Sequence, residues 1–307
     1  MKFGIKLPHS GPGAGPDYRL RWAQFAEALG FHHVMVGDHI GLTPDVLAEY
    51  PAPYYGAFTT IAWLAGQTRK IELGTTAIVV PYRHPMYLAH QVANVDQLSG
   101  GRFILGVAHG HSEGEFEALG VPYHQRGAIT NDYLAAVKVL LSDDVASYEG
   151  RFVSFRDVMI SPKSVQSPHP PIWVGGSSDA ALRRAVRLGD GWHPVGFSVK
   201  EMKDTLLPRL RGIADREGLP VPALCPRIRC TLTESPQAED ERRAGVGTLD
   251  QIHRDLESLQ EMGAEYVLLA TQSGSPEAAA PGHHEESWRT LATVAEKVID
   301  LEKETVR

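Results

Sequence analysis

Short apolar runs alternate with stretches of helical period along the whole chain. The runs Lys2–Leu7, His33–Gly37, Ile71–Val80, Phe103–Val107, Ile172–Val174, Gly191–Pro194, Ile228–Leu232 and Tyr266–Ala270 predict eight strands. Between them the apolar spacing widens to that of a helix face. Trp22, Phe25, Ala26 and Leu29 form a stripe ended by Gly30, and Ile252, Leu256 and Leu259 form one ended by Gly263. Trp288, Leu291, Val294, Val298 and Leu301 predict a closing helix. Eight such units predict an α/β fold whose parallel sheet closes as a single (β/α)8 TIM barrel over residues 1–307. The third run, "IELGTTAIVVPYRHP", is apolar without alternation, as a strand buried on both faces should be.

The spacing of the runs is uneven. About sixty residues separate the fourth and fifth, and they include a helix through "NDYLAAVKVLL" and a hairpin in "ASYEGRFVSFRDV" turning at Glu149-Gly150. Long loops also follow the second strand, "GLTPDVLAEYPAPYYGAF", and the eighth, "QSGSPEAAAPGHHEES". All three lie after strands, on the C-terminal face where barrels build their sites. In "PPIWVGGSSDAALRRAVRLGDGWHPVG" a short strand runs into Gly175-Gly176, and Ser178 N-caps a helix with the apolar face Leu182, Ala185 and Val186. Gly189 is expected to end that helix with a left-handed cap. Such a turn presents free N–H groups and the positive end of a helix dipole to an anion.

Of the 307 residues 43% are hydrophobic and 22% charged, an ordinary globular composition. There is no run of eighteen apolar residues and no signal-peptide core at the start, so a cytoplasmic location is expected. A formal charge of -7 without a basic block argues against nucleic acid or an anionic membrane as partner and leaves a small-molecule substrate. Cys225 and Cys230 stand five apart on a predicted strand and point to opposite faces, which favours free thiols over a disulfide or metal pair.

Residues fit for chemistry gather at strand ends. Asp38 and His39 end the second strand, and an imidazole there suits proton transfer near neutral pH. After the fourth strand, "GVAHGHSEGEFEALG" crowds His109, His111, Glu113 and Glu115, without the helical His-Glu-x-x-His spacing of a metal site; no metal is expected. Gly106, Gly110 and Gly114 in this stretch suggest backbone passing close to a flat ligand. Arg83 and His84 lie past the third strand, where they could meet an anion.

In order and spacing, "GTTAIVVPYRHP", "QLSGGRFILGVAHG", "SYEGRF" leading to "SPHPPIWVGGSS", and "RLGDGW" resemble the bacterial luciferase-like oxidoreductases. The resemblance implies a single barrel with its largest insertion, about 112–170, between strands four and five. It also implies a flavin or deazaflavin at the C-terminal strand ends, and homodimers are common among such relatives. Gly175, Gly176 and Ser177, with the helix that Ser178 opens, would hold the cofactor phosphate. Asp38, His109 and Gly110 would meet the cofactor, and Thr76-Ala77 would form a bulge with a cis peptide behind the ring. Asp38-His39 is similar to the acid–histidine pair of the branch that uses coenzyme F420, which implies hydride transfer between the deazaflavin and a small organic substrate. In that reading His39 moves the proton and Asp38 orients it. The alternative branch uses reduced FMN and oxygen as a monooxygenase. "HIGLTP" lacks the tryptophan of the branch's sugar-phosphate dehydrogenases, and His111 stands about where they carry a glutamate. An apolar or carbonyl substrate lined by Tyr50, Tyr54, Tyr55, Phe58 and His111 is therefore expected.

Overall fold

A computed structural model describes residues 1–239, 242–271 and 283–307. The first half alternates β1 (Lys2–Lys6), α1 (Pro16–Leu29), β2 (His33–Val36), α2 (Pro44–Glu49), α3 (Ala57–Gln67), β3 (Glu72–Thr75), β4 (Ile78–Val79), α4 (Pro85–Ser99) and β5 (Phe103–Ala108). Next come α5 (Glu113–Ala118), α6 (Arg126–Ser142) and the antiparallel pair β6 (Ala146–Glu149) and β7 (Ser154–Val158). The chain then resumes with β8 (Ile172–Gly175), α7 (Asp179–Leu188), β9 (Gly191–His193), α8 (Val199–Glu201), α9 (Leu207–Glu217), β10 (Ala223–Leu224) and β11 (Arg227–Arg229). It ends with β12 (Thr231–Leu232), β13 (Val246–Gly247), α10 (Leu249–Glu261), β14 (Tyr266–Ala270), α11 (His283–Lys297) and a terminal hairpin.

The parallel sheet runs β10-β9-β8-β5-β3-β2-β1-β14-β11. Its two ends are halves of one strand. Ala223 and Leu224 pair with β9, Arg227 to Arg229 pair with β14, and the Arg227 amide still donates to Pro194 O at 2.9 Å. The ring thereby closes at eight strand positions, as the alternation predicted. Proline has no N–H to give a ladder, and Pro226 stands at the break between the halves. This corrects the seventh strand, expected over Ile228–Leu232 and found to begin five residues earlier.

Neighbouring strand residues divide between two clusters. Phe3, Ile5, Val34, Val36, Leu73, Leu105, Val174 and Leu269 join the helices in the outer core, while Met35, Ile104, Trp173, Cys225 and Leu268 fill the barrel lumen. Cys225 therefore faces inward and Cys230 outward, and both are free and buried.

Two sequence expectations change in detail. Gly189 has φ -99 and ψ 152, not a left-handed cap. A Cβ there would stand 2.9 Å from Val174 Cγ2 and 3.0 Å from Ala185 O, so close packing under the helix end explains the residue. Val298 and Leu301 lie past α11, Val298 in the core and Leu301 packed against it. In the loop after the eighth strand, residues 272–282 lie outside the described ones.

The third strand is interrupted. Leu73 pairs with Phe103, but Ile78 pairs with Val107, so five steps on one strand oppose four on the other. The extra residue falls at the Thr76-Ala77 peptide, which is cis as the resemblance implied. Thr75 bridges the break, its hydroxyl donating to Gly106 O at 2.8 Å and accepting from Gly106 N at 3.0 Å. A Cβ on Gly106 would lie 1.9 Å from Thr75 O, so this glycine makes room for the neighbouring strand and not for a ligand. Gly114 makes room for Asp45 and Thr43 of the α2 region, and only Gly110 of the three reaches the central cavity.

Burial pushes the Cys225 thiol well above its usual range and the Cys230 thiol up to about 12. Reactivity needs the thiolate. A chromogenic disulfide reagent at pH 8 should find no fast-reacting thiol in the native protein and two per chain after denaturation. A fast native thiol would contradict this packing.

Candidate active site

The C-terminal ends of the barrel strands converge on a cavity of about 240 Å³. Asp38 and His39 enter it from the end of β2, Thr76 and Ala77 from the bulge, and His109, Gly110 and His111 from the loop after β5. Gly175, Gly176, His193 and Arg227 come from the β8, β9 and β11 edges, and Tyr50 and Tyr54 from the loop after β2.

His39 is held by a carboxylate. Its Nδ1 lies 2.7 Å from Glu115 Oε2, although 76 residues separate the two. Glu115, fully buried, also accepts from Ile40 N at 2.5 Å, Gly41 N at 3.0 Å and the Tyr82 hydroxyl at 2.9 Å. Burial pushes this carboxyl upward, but the donors from His39, Ile40 and Gly41 outweigh it and hold it below its usual range. Glu115 is thus ionised at neutral pH and can only accept, so Nδ1 carries the proton. Nε2 has no partner among the described residues, and the side chain lines the cavity. The ring is packed between Tyr50 and Tyr54, with centroids at 5.0 and 5.2 Å.

Asp38 serves a different group from the one expected. Its two oxygens take both ends of the Arg83 guanidinium at 2.7 Å, and Oδ2 also accepts from Val79 N at 3.0 Å. It clamps the bulged strand to β2, and Glu115 is the residue that orients His39. On the other side of the bulge Arg227 donates to the Thr76 hydroxyl at 3.2 Å, which in turn lies 2.9 Å from His193 Nε2. His193 Nδ1 stands 2.5 Å from Cys225 O, a pure acceptor, so that nitrogen holds the proton and Nε2 accepts from Thr76. Burial, then the Arg227 charge, pushes His193 down to about 4, and it is neutral at pH 7.

The Gly175–Ser178 turn forms another end of the site. Gly176 has φ +102, its amide continues the β8–β9 ladder, and the amides of Ser177 and Ser178 donate to no acceptor among the described residues. Ser178 N-caps the ten-residue α7 by accepting from Ala181 N at 3.3 Å. Among the described residues the buried Arg184 side chain bonds only Asn131 Oδ1 and Gly127 O, and its charge meets no carboxylate there. Burial first, then the charges of Arg184, Arg126 and His111, push His109 down to about 4. Unpartnered amides, a helix N-terminus and uncompensated guanidinium charge suit a phosphate.

Other expected residues lie elsewhere. Tyr55 lies outside the cavity, 36% exposed under the Arg19 guanidinium, and Phe58 packs in the core on Phe103. His84 N-caps α4, and Glu113 sits in the first turn of α5. His111 reaches the cavity but is largely exposed, 3.8 Å from Glu49. Ser177 and Ser178 flank the cavity without lining it. Lys6, His9, His193 and Arg227 line it and were not anticipated. Glu115 had a visible signal, since Ser112-x-x-Glu115 is a helix-start spacing, and Ser112 does cap α5.

Glu115 gives a pH-dependent stability. A carboxyl depressed on folding contributes fully above its unfolded value, about 4.5, and loses that contribution as pH falls through its folded value. Glu115→Gln leaves the His39 N–H and the Tyr82 hydroxyl without their charged acceptor and should cost about 3 kcal/mol at pH 7. Denaturant midpoints should show the wild-type advantage shrinking below pH 4.5. A gap independent of pH would remove Glu115 as the ionised anchor.

Residues 1–303 match the family described as luciferase-like monooxygenase. An FMNH2-dependent dimethylsulfone monooxygenase of Pseudomonas putida is 34% identical over 191 residues, covering 61% of this chain and 51% of that protein. The match thus spans about half the length of that relative. The monooxygenase RslO1 from Streptomyces bottropensis has a similar structure, TM-score 0.76 at 26% identity over 96% of this chain and 98% of that one. An F420-dependent secondary alcohol dehydrogenase, solved with an F420-acetone adduct, shares the fold at TM-score 0.74 and 16% identity, over 92% and 97% of the chains. The barrel, the bulged third strand and a match over nearly the whole length agree, and the chain belongs to the luciferase-like monooxygenase family.

Proposed function

We propose that this protein is a coenzyme F420-dependent oxidoreductase that moves a hydride between the deazaflavin and a small organic substrate. The observation that carries the reading is the His39–Glu115 pair at the cavity wall, a proton-handling group with one nitrogen fixed and the other free. When bound, the deazaflavin supplies the hydride-carrying carbon. The Gly175–Ser178 amides would hold its phosphate, and the Thr76-Ala77 bulge would meet the ring.

His39 would give or take a proton at a substrate oxygen through Nε2, while the Glu115 carboxylate stabilises the imidazolium form. The histidines at 109 and 193, kept neutral, would add polar contacts without charge. A second reading, a reduced-FMN monooxygenase, is favoured by the 34% identity to the Pseudomonas putida enzyme.

Anaerobic titration with F420 and with reduced FMN separates the readings. Submicromolar F420 affinity with weak FMN binding is expected, and the reverse would transfer the assignment to the monooxygenase. With a substrate that the wild type turns over, His39→Ala should lower turnover about a hundredfold and leave cofactor affinity within severalfold. Unchanged turnover would remove His39 from the reaction.

A further inference from the structure

Lys6 and Arg227 are shared between the main cavity and an adjoining one of about 280 Å³, which Arg229 also lines. Among the described residues the Lys6 and Arg229 side chains make no hydrogen bond or ion pair, and the Arg227 side chain donates only to Thr76, at 3.2 Å to the hydroxyl and 3.5 Å to the carbonyl. Of the other charges at this rim, Arg243 lies 3.4 Å from Glu201, and Glu49 lies 3.8 Å from His111, which balances it only when protonated. Burial, then repulsion from Arg227 and Arg229, drives the Lys6 ammonium well below its ordinary range. Lys6 and Arg227 are half-buried and Arg229 is exposed; cations of one sign gathered in this way are relieved by an anion.

The position of this pole separates it from the phosphate turn. Around the closed ring β1, which ends in Lys6, is four strand positions from β8, which leads into that turn, and β11, which carries Arg227 and Arg229, is two. The cofactor phosphate already has matched donors on the β8 side.

We propose that Lys6, Arg227 and Arg229 form the subsite for an anionic group of the substrate, an organic carboxylate or sulfonate whose uncharged part extends to His39. This rests on the oxidoreductase reading, and it revises the expectation of a purely apolar or carbonyl substrate. Guanidinium and ammonium donors beside Tyr50 and Val195 suit an anion carried on a short apolar body.

The test is calorimetric titration of the cofactor-loaded protein with butane-1-sulfonate, hexanoate and the uncharged butyl methyl sulfone, for the wild type, Lys6→Met and Arg229→Gln. The wild type should prefer an anion over the sulfone by tenfold or more. Both variants should lose most of that preference and keep their affinity for the sulfone and for the cofactor. Equal binding of charged and uncharged compounds, or a preference unchanged in both variants, overturns the subsite. Loss of cofactor affinity in parallel overturns it too, by assigning the charges to the cofactor. Cofactor binding without an anion preference refutes the subsite alone. A Lys6-dependent preference in a protein that takes neither F420 nor FMN keeps the subsite and refutes the oxidoreductase reading.

Discussion

An ionised carboxylate with no access to water must be supplied with donors, and the mouth of this barrel is arranged around that requirement. Glu115 takes four, and they come from different parts of the chain: the His39 ring, the Ile40 and Gly41 amides beyond β2, and the Tyr82 hydroxyl beyond β4. Burying the charge costs several kcal/mol, and only charge-assisted bonds of this kind offset it. The loops after two strands are therefore tied to α5. The tie is cushioned by a small apolar cluster of Val79, Tyr82 and Phe116.

The bulge in the third strand depends on a second set of ties. Asp38 with Arg83 holds it from β2, Thr75 replaces the lost ladder bonds to β5, and Arg227, Thr76 and His193 connect it to β9 and β11. Each linker is a side chain, because the interrupted backbone cannot supply these bonds. The result is a wall of small groups facing the cavity, with the His39–Glu115 pair on one side of it and the Arg227 guanidinium on the other. Packed side chains and second contacts of this kind give a site its precision.

Much of the fold was legible because it follows from periodicity. Buried parallel strands must be apolar and amphipathic helices must show a stripe, and seven of the eight strands lie where the pattern put them. The seventh was misplaced because Pro226 splits it and each half pairs with a different neighbour. At the site, the strand-end positions of His39, His109 and Gly175-Gly176 were readable, since the barrel itself directs such residues to one face. The pairing of His39 with Glu115 was not, because nothing local marks a contact 76 positions apart, and adjacency pointed instead to Asp38. Lys6 fell inside the first predicted strand and Arg227 just before the seventh, with nothing in the sequence to link them. Their proximity exists only once β1 and β11 are brought to the same side of a closed ring.

The central proposal is a phosphate-bearing cofactor held at the Gly175–Ser178 turn. The most direct measurement is the affinity of the wild-type protein for F420 against its phosphate-free deazariboflavin core, both followed by ring fluorescence in the same buffer. The unpartnered Ser177 and Ser178 amides at a helix N-terminus, with Arg184 on the same helix, should make the phosphate-bearing form bind at least about a hundredfold tighter, on the order of 3 kcal/mol. Equal affinity for the two would contradict the assignment of this turn and the orientation of the site built upon it.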